Sequence, residues 1–417
     1  MSLKKCMGAI LLISSLLSSV FATGSWLSEE KIASSGATLG LTGFSGNHSS
    51  IVVDSSGNPA VTWFSGNPSK VMFSRRSSQG GWREPISVTT VSFNSRYPSL
   101  SISPDGDYHL AWHDYRHGQI NNLEIYYNRS DDKGLTWPNE TRLTISNDQN
   151  TTNGDNGYIP LIRTDSNSIQ HIVWYDYHWN GWRPELCHRK MTSPATWNAV
   201  ESMDDFKITS SALYENPFPD FILTQSGTPF IVWSDDSAGS VELFSISQNP
   251  TTHTWNAVQQ ITYLGATAQF PSLTQTSENT LHLFYSLLSR QKKTIYYQSL
   301  SPLTQAWSAP TIVSENAQQA TSPVCAVDNK GILHIVWSDL VNGKYRLFYK
   351  TFNPGMNVWS SQELITNGEG DAQYPGLSVD KNNSVHLIWQ DNRDSESAIY
   401  YRVLMNATDV TKWDIYE

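Results

Sequence analysis

The chain has 417 residues, 16% of them charged and 12% aromatic, and a formal charge of −10. Acidic and basic side chains are interspersed with no long basic run, which excludes the electrostatic footprint of a nucleic-acid or anionic-membrane partner. Three cysteines, none in a CxxC or Cys/His cluster, exclude a zinc site of familiar spacing; neither a metal nor a cofactor is expected.

The first element is "MSLKKCMGAILLISSLLSSVFATG". A basic start at Lys4 and Lys5, an apolar run from Met7 to Val20 and a small-residue site at Val20-Phe21-Ala22 have the pattern of a secretory signal peptide. The run is too short and wrongly flanked for a membrane span. Cleavage after Ala22 is expected, leaving residues 23–417 secreted, extracellular or periplasmic, with no membrane anchor. Cys6 leaves with the leader; Cys187 and Cys325 lie in distant repeats and are not expected to pair.

Beyond the leader one unit recurs: a proline, an alternating apolar run, a turn, and a second strand ending in Trp. "YPSLSISPDGDYHLAW" (97–112) has copies at 159–174, 218–233, 322–337 and 374–389, with Pro and Trp fourteen residues apart in each. "FPSLTQTSENTLHLFY" (270–285) keeps the spacing with Tyr285 for Trp, and 49–63 keeps it with Ser49 for Pro, making seven copies. A third strand follows each, marked by an apolar-aromatic couple such as "IYY" at 125–127, 295–297 and 399–401. A fourth opens with Trp and has an apolar residue six positions on: Trp82/Val88, Trp137/Leu143, Trp197/Met203, Trp255/Ile261, Trp307/Val313 and Trp359/Ile365. Four short strands per unit and seven units predict an all-β, seven-bladed β-propeller of four-stranded antiparallel blades.

Trp413 stands where the last fourth strand should start, but the sequence stops at Glu417 without the apolar partner; "SWLSEEKI" supplies Trp26 and Ile32 with no unit before them. The N-terminal strand is therefore expected to complete the last blade and cover two sheet edges. Eight of the sixteen tryptophans head fourth strands and six end second strands, which leaves Trp179 and Trp182 outside the repeat.

The link between first and second strands is constant and that between third and fourth nearly so, whereas links on the opposite face vary. The longest are around "DYRHGQINN" (114–122), "NDQNTTNGDNGY" (147–158) and "YDYHWNGW" (175–182), in blades 2 and 3. Trp179 and Trp182 on such a loop suit stacking on a ligand, or cover the loop's own apolar base. His113, His117 and His178 are near this face at no metal-ligand spacing. Trp-x-Asp recurs in five units, as Asp114, Asp176, Asp235, Asp339 and Asp391. A ring of carboxylates there could bind cations or move protons, but a residue repeated in nearly every blade more readily bonds its own loop's amides.

"SDDKGLTW" places Ser130, Asp132, Gly134, Thr136 and Trp137 at Ser-x-Asp-x-Gly-x-Thr-Trp spacing. This matches the Asp-box, or BNR repeat, and the chain resembles the sialidase-like propeller superfamily. The resemblance implies that the box is a folding element between third and fourth strands, away from the active-site face. Sialidases of this kind hold a substrate carboxylate with three arginines, the first in an Arg-Ile-Pro motif, and use a Tyr/Glu nucleophile pair with an acid Asp. Here Arg96-Tyr97-Pro98 matches in part, Arg116, Arg183, Arg290, Arg346 and Arg393 could lie on that face, and no Tyr/Glu pair stands out.

Two functions follow as expectations. The first is recognition of a glycan or extracellular protein ligand by a monomer through Tyr115, Arg116, His117, Tyr177, His178, Trp179 and Trp182. The alternative is a glycoside hydrolase of sialidase-like type on the same face, using Arg96, Asp114, Asp176 and Arg393, with Asp155 nearby. Sequons at Asn47, Asn128, Asn139, Asn150, Asn382 and Asn406 matter only in a glycosylating source.

Overall fold

Each repeat opens with a hairpin whose turn is written into the sequence. Five residues after the proline position stand Asp54, Ser103, Asp165, Thr224, Thr276, Asp328 and Asp380, and the backbone N–H three residues further on donates to each one's carbonyl. The donor residues, Gly57, Gly106, Ser168, Gly227, Asn279, Gly331 and Asn383, all take a left-handed φ, which Gly and Asn adopt at least cost. The constant Pro-to-Trp spacing is thus the length of a hairpin closed by one turn type.

A computed structural model describes residues 25–33, 36–39, 50–78, 80–90, 94–116, 123–144, 157–177, 183–193, 196–197, 207–209 and 217–405. The hairpins extend into seven successive antiparallel sheets. Blade 2 is typical, with strands Arg96–Ile102, Tyr108–Asp114, Glu124–Ser130 and Thr141–Arg142. Each first strand touches the first strand of the next blade, and that of blade 7 touches that of blade 1, so the sheets close into a ring. First strands also bond across blade boundaries: Ile162 N donates to Ser99 Oγ (3.1 Å), Leu273 N to Asp220 Oδ2 (2.8 Å) and Cys325 N to Ser272 Oγ (3.0 Å). Between blades lies an aromatic and aliphatic core in which Trp112, Trp174, Trp233, Trp337 and Trp389, all from second strands, are fully buried.

Fourth strands are short. Val88, Leu143, Ile261, Val313 and Ile365 each donate their N–H to the third strand of their blade, and in blade 3 Ile208 takes this place through Leu186 O. The expected partner there, Met203, lies outside the described residues; the insertion between Trp197 and Ile208 lengthens the usual spacing of six to eleven.

The last blade, Ala372–Val379, Val385–Asp391 and Ala398–Leu404, is completed by the N-terminal strand Glu30–Ala33, antiparallel to Ala398–Leu404. Leu27 N donates to Val403 O (2.9 Å), and Arg402 Nε to Leu27 O (2.6 Å). The chemistry of the join matches an uninterrupted blade. In blade 2 Arg116 bridges Asp114 and Glu140, the residue before the fourth strand; in blade 7 Arg393 bridges Asp391 and Glu29, which precedes the N-terminal strand. Trp413 lies outside the described residues.

Candidate functional site at the channel mouth

The residue before the proline has a left-handed φ in six blades: Tyr97 (50°), Ile159 (49°), Phe218 (42°), Phe270 (56°), Ser322 (54°) and Tyr374 (54°). None is glycine, so each carries local strain held by the surrounding sheet. In blades 2, 3, 5, 6 and 7 the strand register shifts at this point, a bulge that re-aims the side chain. These bulges lie where first strands begin and second strands end, on the face with the variable loops.

In blades 2 and 3 the bulges assemble an aromatic cluster. The His113 ring meets Tyr97 edge-on (4.9 Å between centroids), Tyr158 (5.7 Å) and Tyr115 (6.0 Å); Tyr158 stacks on Tyr175 (5.7 Å) and meets Tyr177 (5.4 Å). Tyr374 of blade 7 lies close enough to influence the ionisation of Tyr97, and Tyr345 of blade 6 acts likewise on Tyr374. At the channel mouth, where the first strands of the ring begin, phenols of blades 2 and 3 are thus in direct ring contact. Burial pushes Tyr97, Tyr115 and Tyr175 above the ordinary phenol range, and Tyr158 and Tyr374 up to about 12. At neutral pH these hydroxyls are protonated and can donate hydrogen bonds.

Arg96 is half-buried beside this cluster, and its Nε points at Ser69 Oγ 3.4 Å away. Its charge lies close enough to favour ionisation of both Tyr97 and Tyr115. Among the described residues it forms no ion pair, unlike Arg116, Arg163, Arg183 and Arg393.

The acids expected from sequence are placed differently. Asp114 is fully buried and accepts from Trp112 Nε1 (3.2 Å), Ser95 Oγ (2.6 Å), Arg116 N (2.9 Å) and the Arg116 guanidinium (2.7 Å). Although burial alone would raise its pKa, the hydrogen bonds and the adjoining charge of Arg116 hold its carboxyl below the usual range. Asp176, Asp235 and Asp391 are buried too and accept from the indole two residues earlier (3.1–3.3 Å). Asp339 instead accepts from the amides of Gln318, Gln319 and Leu340. Arg116 and Arg393 lie over Tyr126 and Tyr400 (4.3 Å each) and are held by the carboxylates already named. Arg96, Asp114, Asp176 and Arg393 thus belong to three blades, and three of the four are engaged within their own blade. Tyr115 and Tyr177 join the cluster; His117, Asp155, His178, Trp179 and Trp182 lie outside the described residues.

His113, Tyr97, Tyr158, Tyr175 and Tyr374 were not singled out as ligand contacts from sequence. Their signal is positional: they are the variable residues inside a constant frame, one or two places before the proline or between Trp and Asp. The Asp-box occupies the third-to-fourth link of blade 2. Asp132 Oδ1 accepts from Ser130 Oγ (2.7 Å) and from the amides of Leu135 and Thr136 (2.9 Å each), and Oδ2 from Thr136 Oγ1 (2.6 Å). Gly134 packs against Phe73 so closely that a Cβ would stand 2.3 Å from its ring, and Trp137 packs on the same ring (5.1 Å). The box thus locks blade 2 to blade 1.

No protein-family model matches the chain, and no curated protein does. Among solved structures, an ulvan lyase of polysaccharide lyase family PL25, bound to -[GlcA(1-4)Rha3S]-, aligns with a TM-score of 0.66 at 9% identity, covering 90% of this chain and 95% of that one. Polysaccharide lyase Uly1 aligns with a TM-score of 0.57 at 12% identity over 91% and 99%. The Hadza microbial sialidase Hz136 aligns with a TM-score of 0.50 at 14% identity over 80% and 73%. At these identities the likeness is one of architecture: the chain has the sialidase-like, seven-bladed propeller fold.

Proposed function

We propose that this protein recognises an anionic glycan at the channel mouth, acting outside the cytoplasm as a monomer after loss of residues 1–22. The observation that carries the reading is Arg96: a guanidinium without an ion pair among the described residues, beside protonated phenols. A cation fixed next to hydroxyl donors and flat aromatic rings suits a sugar bearing a carboxylate or sulfate. The uronate and sulfate in the ulvan lyase complex are of that chemistry. The loops carrying His117, His178, Trp179 and Trp182 would extend the surface along the chain of sugars, and a protein bearing such a glycan is an equivalent partner.

A second reading is elimination across a uronate residue at the same place. It is favoured by the kind of groups that converge: an imidazole and several phenols can move a proton and Arg96 can neutralise a carboxylate. Hydrolysis by two carboxylates needs acids free to face one sugar, whereas Asp114 is bound by Trp112, Ser95 and Arg116 and Asp176 accepts from Trp174 Nε1.

The test is calorimetric titration with uronate-rich, sulfated and neutral polysaccharides, following at the same time the ultraviolet absorbance of unsaturated uronate. Binding to the anionic set that weakens roughly 10–100-fold in Arg96→Gln supports recognition. Growth of the absorbance in wild type, lost in His113→Ala, would move the protein to the second reading. Equal affinity for neutral and anionic polymers would end both.

A further inference from the structure

A second feature lies on the flank of the disc. Residues 243–277 and 294–314 contain no Asp, Glu, Lys or Arg, in a chain with 28 basic and 38 acidic residues. The two stretches meet where the outer edges of blades 4 and 5 adjoin, around the short strands Gln259–Gln260 and Thr311–Ile312. Between them is an open cleft of about 540 Å³ lined by Gln259, Gln260, Tyr263, Gln298, Gln305 and Trp307 among others. That volume falls in the range of small-ligand sites, about 300–1,000 Å³. Among the described residues no Asp, Glu, Lys, Arg or His lines it.

The same flank concentrates exposed apolar surface. Tyr263 is 76% exposed, and Val258, Leu303 and Ile312 near the cleft in sequence are exposed as well. Tyr263 itself lines the cleft, so an aromatic face is presented to whatever enters it. The polar groups there are carboxamides. Gln260 Nε2 donates to Thr262 O (2.7 Å) and Gln305 Nε2 to Pro302 O (2.8 Å), which fixes both amides. Gln259 makes no side-chain hydrogen bond among the described residues.

An accessible phenol ring among fixed amides, with no ionic group, matches a polyol with an apolar face. A sugar ring stacks its C–H face on the aromatic side chain and presents its hydroxyls to amides that both donate and accept. A charged ligand would find no counter-ion here, whereas the channel mouth has Arg96. We propose that this cleft is a second saccharide site, for uncharged sugars, in which Tyr263 supplies the stacking ring and Gln259, Gln260 and Gln305 the hydroxyl contacts. The site stands on the outer edge of the ring, at the fourth strands of blades 4 and 5 rather than on the face with the first-strand bulges, and its occupancy does not depend on the channel mouth.

The experiment is calorimetric titration of the mature protein with neutral tetra- to hexasaccharides cut from β-glucan, α-glucan, xylan and mannan. Wild type, Tyr263→Ala and Arg96→Gln are compared, and sedimentation velocity is run on each. Saturable binding of one neutral class, roughly tenfold weaker in Tyr263→Ala and unchanged in Arg96→Gln, is expected. Because Tyr263 is exposed, the variant should melt with wild type, so lost binding is not lost folding. No saturable binding to any neutral class would overturn the proposal, as would binding that Tyr263→Ala leaves intact. Wild-type self-association abolished by Tyr263→Ala would overturn it too, identifying the flank as a contact between copies of the chain.

Discussion

Five blades carry a buried histidine at the same second-strand position: His109, His171, His282, His334 and His386. In four of them Nδ1 meets the hydroxyl of a third-strand tyrosine, as in His109–Tyr127 (2.7 Å) and His282–Tyr297 (2.8 Å). In blades 6 and 7 the hairpin turn adds a carboxylate, Asp328 to His334 Nε2 (3.5 Å) and Asp380 to His386 Nε2 (3.6 Å). Blades 2 and 5 have Ser103 and Thr276 in that place, and there burial depresses the imidazole from its ordinary 6.5 to about 3 for His109 and about 4 for His282. The unfolded chain then binds protons that the folded chain does not. Their stabilising effect is complete above about pH 6.5 and falls with pH, by about 1.4 kcal/mol per histidine per pH unit. At pH 5 the two together should cost about 4 kcal/mol, a large part of a typical net stability of about 5–15 kcal/mol. His171, depressed to about 4, adds to the loss, whereas Glu185 and Asp339, raised by burial, oppose it at the acid end. Urea unfolding at pH 7 and pH 5 and constant ionic strength measures the difference. Paired His109→Phe/His282→Phe substitutions, which follow the Phe230 that blade 4 carries at this position, should remove about half of it, because His171 and its neighbour His188, also depressed by burial, remain. Ser103→Asp should reduce it by giving His109 the partner that His386 has. A wild-type change below about 1 kcal/mol, or an undiminished change in the double variant, would refute the reasoning.

Further outcomes follow from the same structure. Gly134 and Gly331 share a φ of 77°, but only Gly134 has Phe73 in the path of a Cβ; Gly134→Ala should cost about 2–4 kcal/mol and Gly331→Ala about 1–2, measured by urea unfolding. Glu29→Gln should destabilise by about 1–3 kcal/mol and expose the 25–39 segment to limited proteolysis, with Glu140→Gln giving a similar energetic loss but no new cleavage there. Cys187 is fully buried, and burial raises its thiol well above the ordinary range; it should resist a maleimide reagent in the native state and react on unfolding.

The propeller was legible because its determinants are local and repeated. A turn of fixed length after the proline position of each repeat, a tryptophan at six of the seven second-strand ends and an Ile32 with no preceding unit translate directly into hairpins, interblade packing and the N-terminal clasp. The site was less legible for a physical reason. Asp114 and Arg116 look functional as polar residues on a variable face, but their charges are absorbed by a blade-internal network that Asp391, Arg393 and Glu29 repeat. The aromatic cluster of blades 2 and 3 depends instead on the bulges at Tyr97 and Ile159, where the register shifts and the backbone takes a left-handed φ; alternation along a strand does not reveal a left-handed φ at a non-glycine residue. Blade 3 shows the other limit, since an insertion moved the fourth-strand partner to Ile208, out of the six-residue frame that served elsewhere.

Titration of an anionic glycan against wild type and Arg96→Gln, at two salt concentrations, tests the functional account most directly. The account predicts wild-type binding that weakens with salt, and a variant that melts at the same temperature yet binds roughly 10–100-fold more weakly with little remaining salt dependence. Identical affinity and salt response in the two proteins would contradict it, and would remove the channel mouth as the place where the ligand's charge is read.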